Sequence, residues 1–231
     1  MCKGAFAEYA CATEDKVALK PANISFEEAA AVPVAAITAL QGLRDKGRIK
    51  PGQKVLVDGA SGGVGTFAVQ IAKSFGAEVT AVCSTTKVDT ARAIGADHCI
   101  DYTREDFTQG GQRYDLIIAA NAYHSIFDYR RALTQNGIYV MAGGGGWVQI
   151  IQGMLLGPLL SLMGSRKTRF FMANINPKDL VFLKDLLAAG KVVPVIDRRY
   201  PLSEVAEALR YLEEGHAKGK VVMTVEHGKE T

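Results

Sequence analysis

Cysteine is scarce and unpatterned. Cys2, Cys11, Cys83 and Cys99 form no CxxC pair and have no histidine at ligand spacing, which excludes a disulfide framework and a zinc knuckle and implies reduced thiols, as in the cytoplasm. Charge of one sign is massed nowhere: the formal net charge of +3 is spread along the chain, and the densest basic cluster is only Arg166, Lys167 and Arg169. No nucleic-acid partner is implied. The first residues lack the apolar core of a secretory signal. No apolar run is clean enough for a membrane span, because the most apolar stretch, residues 147–164, is broken by Gln149, Gln152, Gly153, Gly157, Pro158 and Ser161. That stretch reads as a buried or partner-facing helix, with an interfacial membrane helix as the alternative. Repeats and low-complexity linkers are absent.

What is present is ample core material, a hydrophobic fraction of 48% over 231 residues, and one dense constellation. Residues 55–76 read VLVDGASGGVGTFAVQIAKSFG: a buried strand, a turn carrying Gly59, Gly62 and Gly65, then an amphipathic helix with Val64, Phe67, Ala68, Ile71 and Phe75 on one face and Gly76 as its stop. The glycines stand where backbone must turn sharply and approach a ligand, and the free N–H groups at the helix start suit a diphosphate. A dinucleotide is therefore expected. In the NAD form of this motif an acid at the end of the next strand accepts hydrogen bonds from the ribose 2′-OH. Here that place reads Cys83, Ser84, Thr85, Thr86 and Lys87. Hydroxyls and an ammonium without a carboxylate suit a 2′-phosphate, so NADP(H) is favoured over NAD.

Around this motif the pattern alternates between strand and helix. A loose strand is expected at 4–12, and Ser25 with Glu28 makes a capping box that opens an alanine-rich helix extending past Pro33. Strands are expected at 55–58, 79–82, 98–102, 116–120, 138–142 and 170–173, with helices between them and a helix at 125–134 ending at Asn136-Gly137. Asn176 with Pro177 starts a helix stopped by Gly190. Strands at 192–196 and 221–225 and a helix capped by Ser203 close the chain. The fold class is α/β, a doubly wound parallel sheet. A short-chain dehydrogenase would need Tyr-x-x-x-Lys after the fourth strand, but Tyr123 is followed by Phe127 and Tyr129 by Leu133; a Walker ATPase is excluded by Gly65-Thr66-Phe67.

Several runs occur together and in order: GAFAEY at 4–9, SFEEAAAVPVAAITALQGL at 25–43, GASGGVG at 59–65, GADHCIDYTREDF at 95–107 and GKVVMTV at 219–225. On these the chain resembles the medium-chain dehydrogenase/reductase superfamily, in its zinc-independent quinone oxidoreductase-like branch. The resemblance implies a Rossmann domain at 37–190 flanked by an incomplete GroES-like β-barrel domain: 1–36 as its last segments and 191–231 as its return. The earlier barrel strands of the family are expected to lie outside this chain. The resemblance also implies cofactor contacts. Thr38 corresponds to the threonine on the nicotinamide side, and Ser61, Gly62, Gly63 and Val64 to the pyrophosphate turn. Ser84, Lys87 and Tyr102 correspond to the 2′-phosphate site. Asn121, Ala142, Gly143 and Gly144 follow the fourth and fifth strands, where open parallel sheets bind ligands. Phe171 and Met172 match a main-chain contact with the nicotinamide, and His216 and Lys220 lie where the family places a basic residue near the phosphates.

The activity so implied is hydride transfer from NADPH to a quinone, an enone or a related activated carbonyl, with a small-molecule substrate and a homodimer formed through the Rossmann domain. The cofactor supplies the chemistry and the protein orients it. No catalytic acid and no metal site is assigned, because His98, His124, His216 and His227 stand singly. Two other classes keep the same cofactor residues: a non-catalytic NADP-binding module, and a structural protein of the lens-crystallin kind.

Overall fold

The computed structural model describes residues 6–143, 157 and 164–225. Six strands form one parallel sheet: β1 (Lys54–Asp58), β2 (Glu78–Cys83), β3 (His98–Asp101), β4 (Tyr114–Ala119), β5 (Leu133–Met141) and β6 (Lys167–Phe170), in the order β3-β2-β1-β4-β5-β6. The chain starts in the middle of the sheet, winds outward to β3, then crosses back past β1 to β4. The strand order therefore reverses between β1 and β4, which opens a crevice at the carboxyl ends of the strands. Val55, Leu56, Val57, Leu116, Ile117 and Ile118 are fully buried, as expected of strands covered by helices on both faces.

On one face lie α2 (Pro33–Leu40), α3 (Gly63–Ser74) and α6 (Pro177–Ala188), which join Ile37, Leu40, Phe67, Ile71, Leu183 and Leu187 to the sheet in the larger core. The other face is covered by α5 (Ile126–Arg131), around a stack of Tyr129 on Tyr139 with ring centroids 4.4 Å apart. Before α2 comes α1 (Phe26–Ala31), opened by the capping box: Ser25 accepts from the Glu28 N–H, and Glu28 accepts from the Ser25 N–H at 2.7 Å. The helix past Pro33 widens into a π-helical turn at Gln41–Lys46. α4 (Val88–Ala93) joins β2 to β3. Asn176 caps α6 with Pro177 in its first turn, and Gly190, at φ 65°, ends it.

Several expectations are corrected. No strand forms at 6–12, where every residue is exposed, so the period-2 pattern had no sheet to pair with. β5 begins at Leu133, and Asn136-Gly137 is a bulge inside it rather than a helix end. A Cβ on Gly137 would meet the Tyr114 carbonyl at 2.9 Å, so the residue is fitted between neighbouring strands. β6 runs three residues earlier than expected. Residues 192–195 are not a strand, because the buried Gln70 side chain takes both main-chain groups of Val193, accepting its N–H at 2.8 Å and donating to its carbonyl at 2.9 Å. The strand starts instead at β7 (Ile196–Pro201), which pairs in parallel with β8 (Lys220–Thr224) in a separate two-stranded sheet beside α7 (Val205–Glu213). α7 follows a short 3-10 turn over Leu202–Glu204, and no side chain caps it, Ser203 included. No GroES-like barrel is formed by the described residues. The apolar stretch at 147–164 lies outside them apart from Gly157 and Gly164.

α3 is seated on β1 without clearance: a Cβ on Gly65 would stand 2.0 Å from the Gly59 carbonyl oxygen. Gly65→Ala must push the helix off the turn, and the cost expected is about 3 kcal/mol, at the upper end of overpacking. Urea denaturation checks this; an unchanged midpoint would contradict the seating.

Candidate functional site: a crevice at the strand switch point

A cavity of about 760 Å³ opens at the carboxyl ends of β1, β2 and β4. Its floor is the turn after β1. Gly59 holds φ 77°, and a Cβ there would lie 2.6 Å from the Asn121 Cβ, so a left-handed turn and the close approach of the loop after β4 both require glycine. From this turn α3 starts with Gly62 as its N-cap and no side-chain cap. The first N–H groups of a helix have no intrahelical partner, and these face the crevice with the positive end of the helix dipole behind them.

Two ammonium groups attend the same space. Lys220, the first residue of β8, lies across the helix start: a Cβ on Gly63 would be 3.0 Å from its Cδ and 3.6 Å from its Nζ. Burial lowers its pKa. Lys87, after β2, donates to the Ala217 carbonyl at 3.3 Å; burial and the nearby Lys218 lower its pKa. Half-buried cations held at a positive helix end and beside another cation are mutually unfavourable, and an anion between them relieves both.

Of the residues expected at a site, Ser61, Gly62, Gly63, Val64, Ser84, Lys87, Tyr102, Asn121 and Lys220 all line this one cavity. The others do not. Thr38 turns its hydroxyl to the Val34 carbonyl, 2.7 Å away, while Val34 and Ala35, one turn earlier, reach the wall. Ala142 bonds through its N–H to the Ala119 carbonyl at 2.9 Å, and a Cβ on Gly143 would sit 3.3 Å from the Ala120 carbonyl, so both stand behind the wall. Gly144 lies outside the described residues. His216 is exposed between Gly215 and Ala217, which do line the cavity. Phe171 and Met172 border a second cavity, of about 630 Å³, with Gln41, Arg44 and Asp179. There Asp179 is held by Gln41 at 2.6 Å, Arg44 at 2.7 Å and Asn176 at 2.8 Å, a satisfied structural network.

Tertiary structure adds residues that the sequence did not single out. Tyr123 and His124 close one side of the cavity, just past Asn121. Asp101 comes beside the end of β2 from the neighbouring strand, opposite Cys83. Its carboxylate is engaged by the hydroxyls of Thr85 and Thr103 and is not among the cavity-lining groups. Asp58 is the third addition, and its position immediately before the glycine turn was the available signal. It is 7% exposed and accepts a hydrogen bond from the buried Tyr129 O–H at 2.5 Å. Among the described residues no group of three or more His, Cys, Asp or Glu is placed to hold a metal ion.

The order of strands, the uncapped helix and the cations around its start are those of a nucleotide-binding dehydrogenase domain, and comparison with known proteins bears on which. Residues 94–223, more than half of the chain, match the family described as zinc-binding dehydrogenase. The chain belongs to this family. Within it, the chain is of the zinc-independent, quinone oxidoreductase-like branch of the medium-chain dehydrogenase/reductase superfamily. It is 39% identical over 224 residues to a 2-methylene-furan-3-one reductase of Solanum lycopersicum, covering 95% of this chain and 52% of that one. It is 36% identical to the chloroplastic NADPH-dependent alkenal/one oxidoreductase of Arabidopsis thaliana, covering 95% and 53%. The solved quinone oxidoreductase of Coxiella burnetii superposes with a TM-score of 0.82 at 30% identity, covering 96% of this chain and 68% of that one. The chain thus spans about half the length of the two curated relatives. No helix among the described residues is long and apolar enough to cross a membrane.

Burial pushes the Asp58 carboxyl up to about 6 from 3.8, against the opposing effects of Tyr129 and His124. A proton held more tightly in the folded than in the unfolded state stabilises the fold fully below about pH 4, and that contribution is lost as pH rises through about 6. Asp58→Asn, which keeps an acceptor for Tyr129, should therefore gain on the parent protein between pH 5 and pH 8, by about 1.4 kcal/mol. Urea denaturation at the two pH values measures this; a difference that does not vary with pH would refute it.

Proposed function

We propose that the chain binds NADPH across this cavity and forms the dinucleotide-binding part of a reductase that passes hydride to a quinone, an enone or another activated carbonyl. The observation that carries this reading is the joining of two anion sites in one crevice: the uncapped start of α3 with Lys220 against it, and Ser84, Lys87 and Tyr102 at the end of β2. A dinucleotide phosphate at the first and a 2′-phosphate at the second suit those groups. The glycine turn leaves main-chain N–H groups exposed to the diphosphate, and Asp101, the carboxylate that β3 brings beside the end of β2, is engaged by Thr85 and Thr103. The names of two relatives, an NADPH-dependent alkenal/one oxidoreductase and a quinone oxidoreductase, agree with this substrate class.

When bound, the nicotinamide supplies the hydride. The residues of this chain bind and orient: Lys87 and Lys220 neutralise phosphate charge, the Ser61–Val64 turn fixes the register of the dinucleotide, and Tyr123 and His124 border the crevice and restrict water. Proton delivery to the reduced substrate is assigned to no residue here.

In the same reading, residues 1–36 and 191–231 belong to a GroES-like catalytic domain and 37–190 to the Rossmann domain. The ion pair of Arg199 on β7 with Glu27 on α1, at 2.5 Å, brings the two outer pieces together, and β7 and β8 form their own sheet apart from the six strands. A homodimer through the Rossmann sheet would use β6, one of its two edge strands. The free thiols of Cys83 and Cys99 suit a reducing compartment, and the cytoplasm is the one proposed.

Calorimetric titration with NADPH and NADH, repeated on Lys87→Ala, tests the phosphate assignment. The parent protein should prefer NADPH, and the variant should lose about tenfold or more in NADPH affinity with little change for NADH, the loss of one charge-assisted hydrogen bond. Equal affinity for the two cofactors in the parent protein would overturn it. Quinone- and enone-dependent NADPH oxidation, assayed on this chain and on a version carrying a complete barrel domain, tests the activity; an inert extended form would count against a reductase.

A further inference from the structure

One feature of the crevice runs against its positive character. Among the residues lining it Asp58 is the single acid. It stands at the carboxyl end of β1, directly before the turn that opens α3, and is 93% removed from solvent by its 7% exposure. No lysine or arginine pairs with it directly, and His124 is the one basic side chain that holds its pKa down against burial. From α5 comes the neutral Tyr129 O–H, at 2.5 Å. Tyr139 on β5 stacks behind Tyr129, and His124, on the loop after β4, meets the Tyr129 ring edge-on with centroids 5.7 Å apart. The flanking strands β2 and β4 present Val82 and Ala119 opposite it. Lys87 and Lys220 line the same cavity, yet neither forms an ion pair with it.

We infer that the cavity takes up its dinucleotide together with a proton, and that the Asp58 carboxylate is the group that receives it. The inference rests on the NADPH reading above. In the free protein above pH 6 the ionised carboxylate is tolerated, because the crevice is open to solvent and Lys87 and Lys220 line it. A dinucleotide replaces that water with several negative charges and occupies the cations. The carboxylate is then left in a drier wall facing like charge, and both changes favour its neutral form. The proton comes from solvent, and no bond to the ligand forms. Once protonated, the carboxyl also becomes an O–H donor on a wall made for anions. Dinucleotide affinity should consequently fall as pH rises, by up to about tenfold per unit above pH 6.

The test is calorimetry of NADPH binding at pH 7.5 in phosphate and in Tris, buffers whose ionisation heats differ, so that the dependence of apparent enthalpy on buffer counts the protons taken up. The parent protein is expected to take up about one proton more than Asp58→Asn, and the variant to bind more tightly than the parent at pH 8. Protonation of Lys87, Lys220 and the 2′-phosphate is common to both proteins, and repeating the pair in a His124→Gln background isolates Asp58. Should Asp58→Asn fail to fold, Tyr129→Phe serves: stripping the carboxylate of its donor should move the midpoint of proton uptake to higher pH, which a purely structural role for Tyr129 would not do. Normal NADPH binding with equal uptake in parent and variant, or weaker binding by Asp58→Asn at pH 8, overturns the proton linkage alone. No NADPH binding by the parent protein overturns the cofactor reading and the linkage with it.

Discussion

The contact between Gly65 and the Gly59 carbonyl is the constraint on which the rest of the structure hangs. No side chain fits between them, so α3 begins hard against the end of β1 and its first turn points along the strand into the crevice where the sheet order reverses. The same turn lets the loop after β4 close in at Asn121. A helix start that is uncapped and partly shielded from solvent is electrostatically incomplete, and the nearest groups from outside the motif are also positive: Lys220 from β8 and Lys87 from the end of β2. Close packing of backbone thus produces a site whose charge is completed by an anion.

Two irregular segments that follow the paired strands are fastened by side-chain amides rather than by sheet pairing. Gln70, from α3, accepts and donates to the main chain of Val193; Gln41, after α2, accepts the Asn174 N–H at 3.0 Å and donates to the Asn174 carbonyl at 2.7 Å. Each glutamine satisfies the polar groups of an irregular segment laid over a helix, where an unpaired main chain would be costly. The first of these clamps delivers the chain into β7, and through β8 it brings Lys220 to the mouth of α3. Asp58 and its tyrosines are the counterpart on the other face of the sheet, a buried polar unit whose hydrogen-bond donors, the Tyr129 O–H and the Gly59 N–H, are neutral. Binding strength and stability therefore respond to pH at the same carboxyl group.

Periodicity and punctuation in the sequence were enough to locate the first five parallel strands, the helix after the glycine turn, the capping box at Ser25 and the Asn176-Pro177 helix start, because each is a local preference that packing then reinforces. They failed where pairing or side-chain clamps overrode local pattern. Residues 6–12 alternate in polarity yet find no strand to join. Val192, Val193 and Val195 are β-branched and apolar, but Pro194 between them has no N–H for a ladder and Val193 gives both main-chain groups to Gln70. Asn136-Gly137 has the composition of a turn and is a bulge. Among site residues, those in the glycine turn and at the end of β2 were legible because their roles are tied to main-chain geometry at fixed spacing. Thr38, Ala142, Gly143 and His216 were placed by position in a motif, and none of them lines the cavity: the Thr38 hydroxyl turns to Val34, and the Ala142 N–H is bonded to Ala119.

By itself the sequence determined the class of fold and the glycine turn between β1 and α3, since these follow from glycine positions and from strand and helix periods, and the lack of an acid at one strand end is what the proposed NADPH preference starts from. Only the tertiary structure decided which distant groups share the crevice. Lys220 lies more than 150 residues from Gly63 in the chain, and Asp58 acquires its character from Tyr129 and from exclusion of water, not from its neighbours in sequence. Charge and burial at a point in space depend on every segment that reaches it, and that information arises only when the chain is folded.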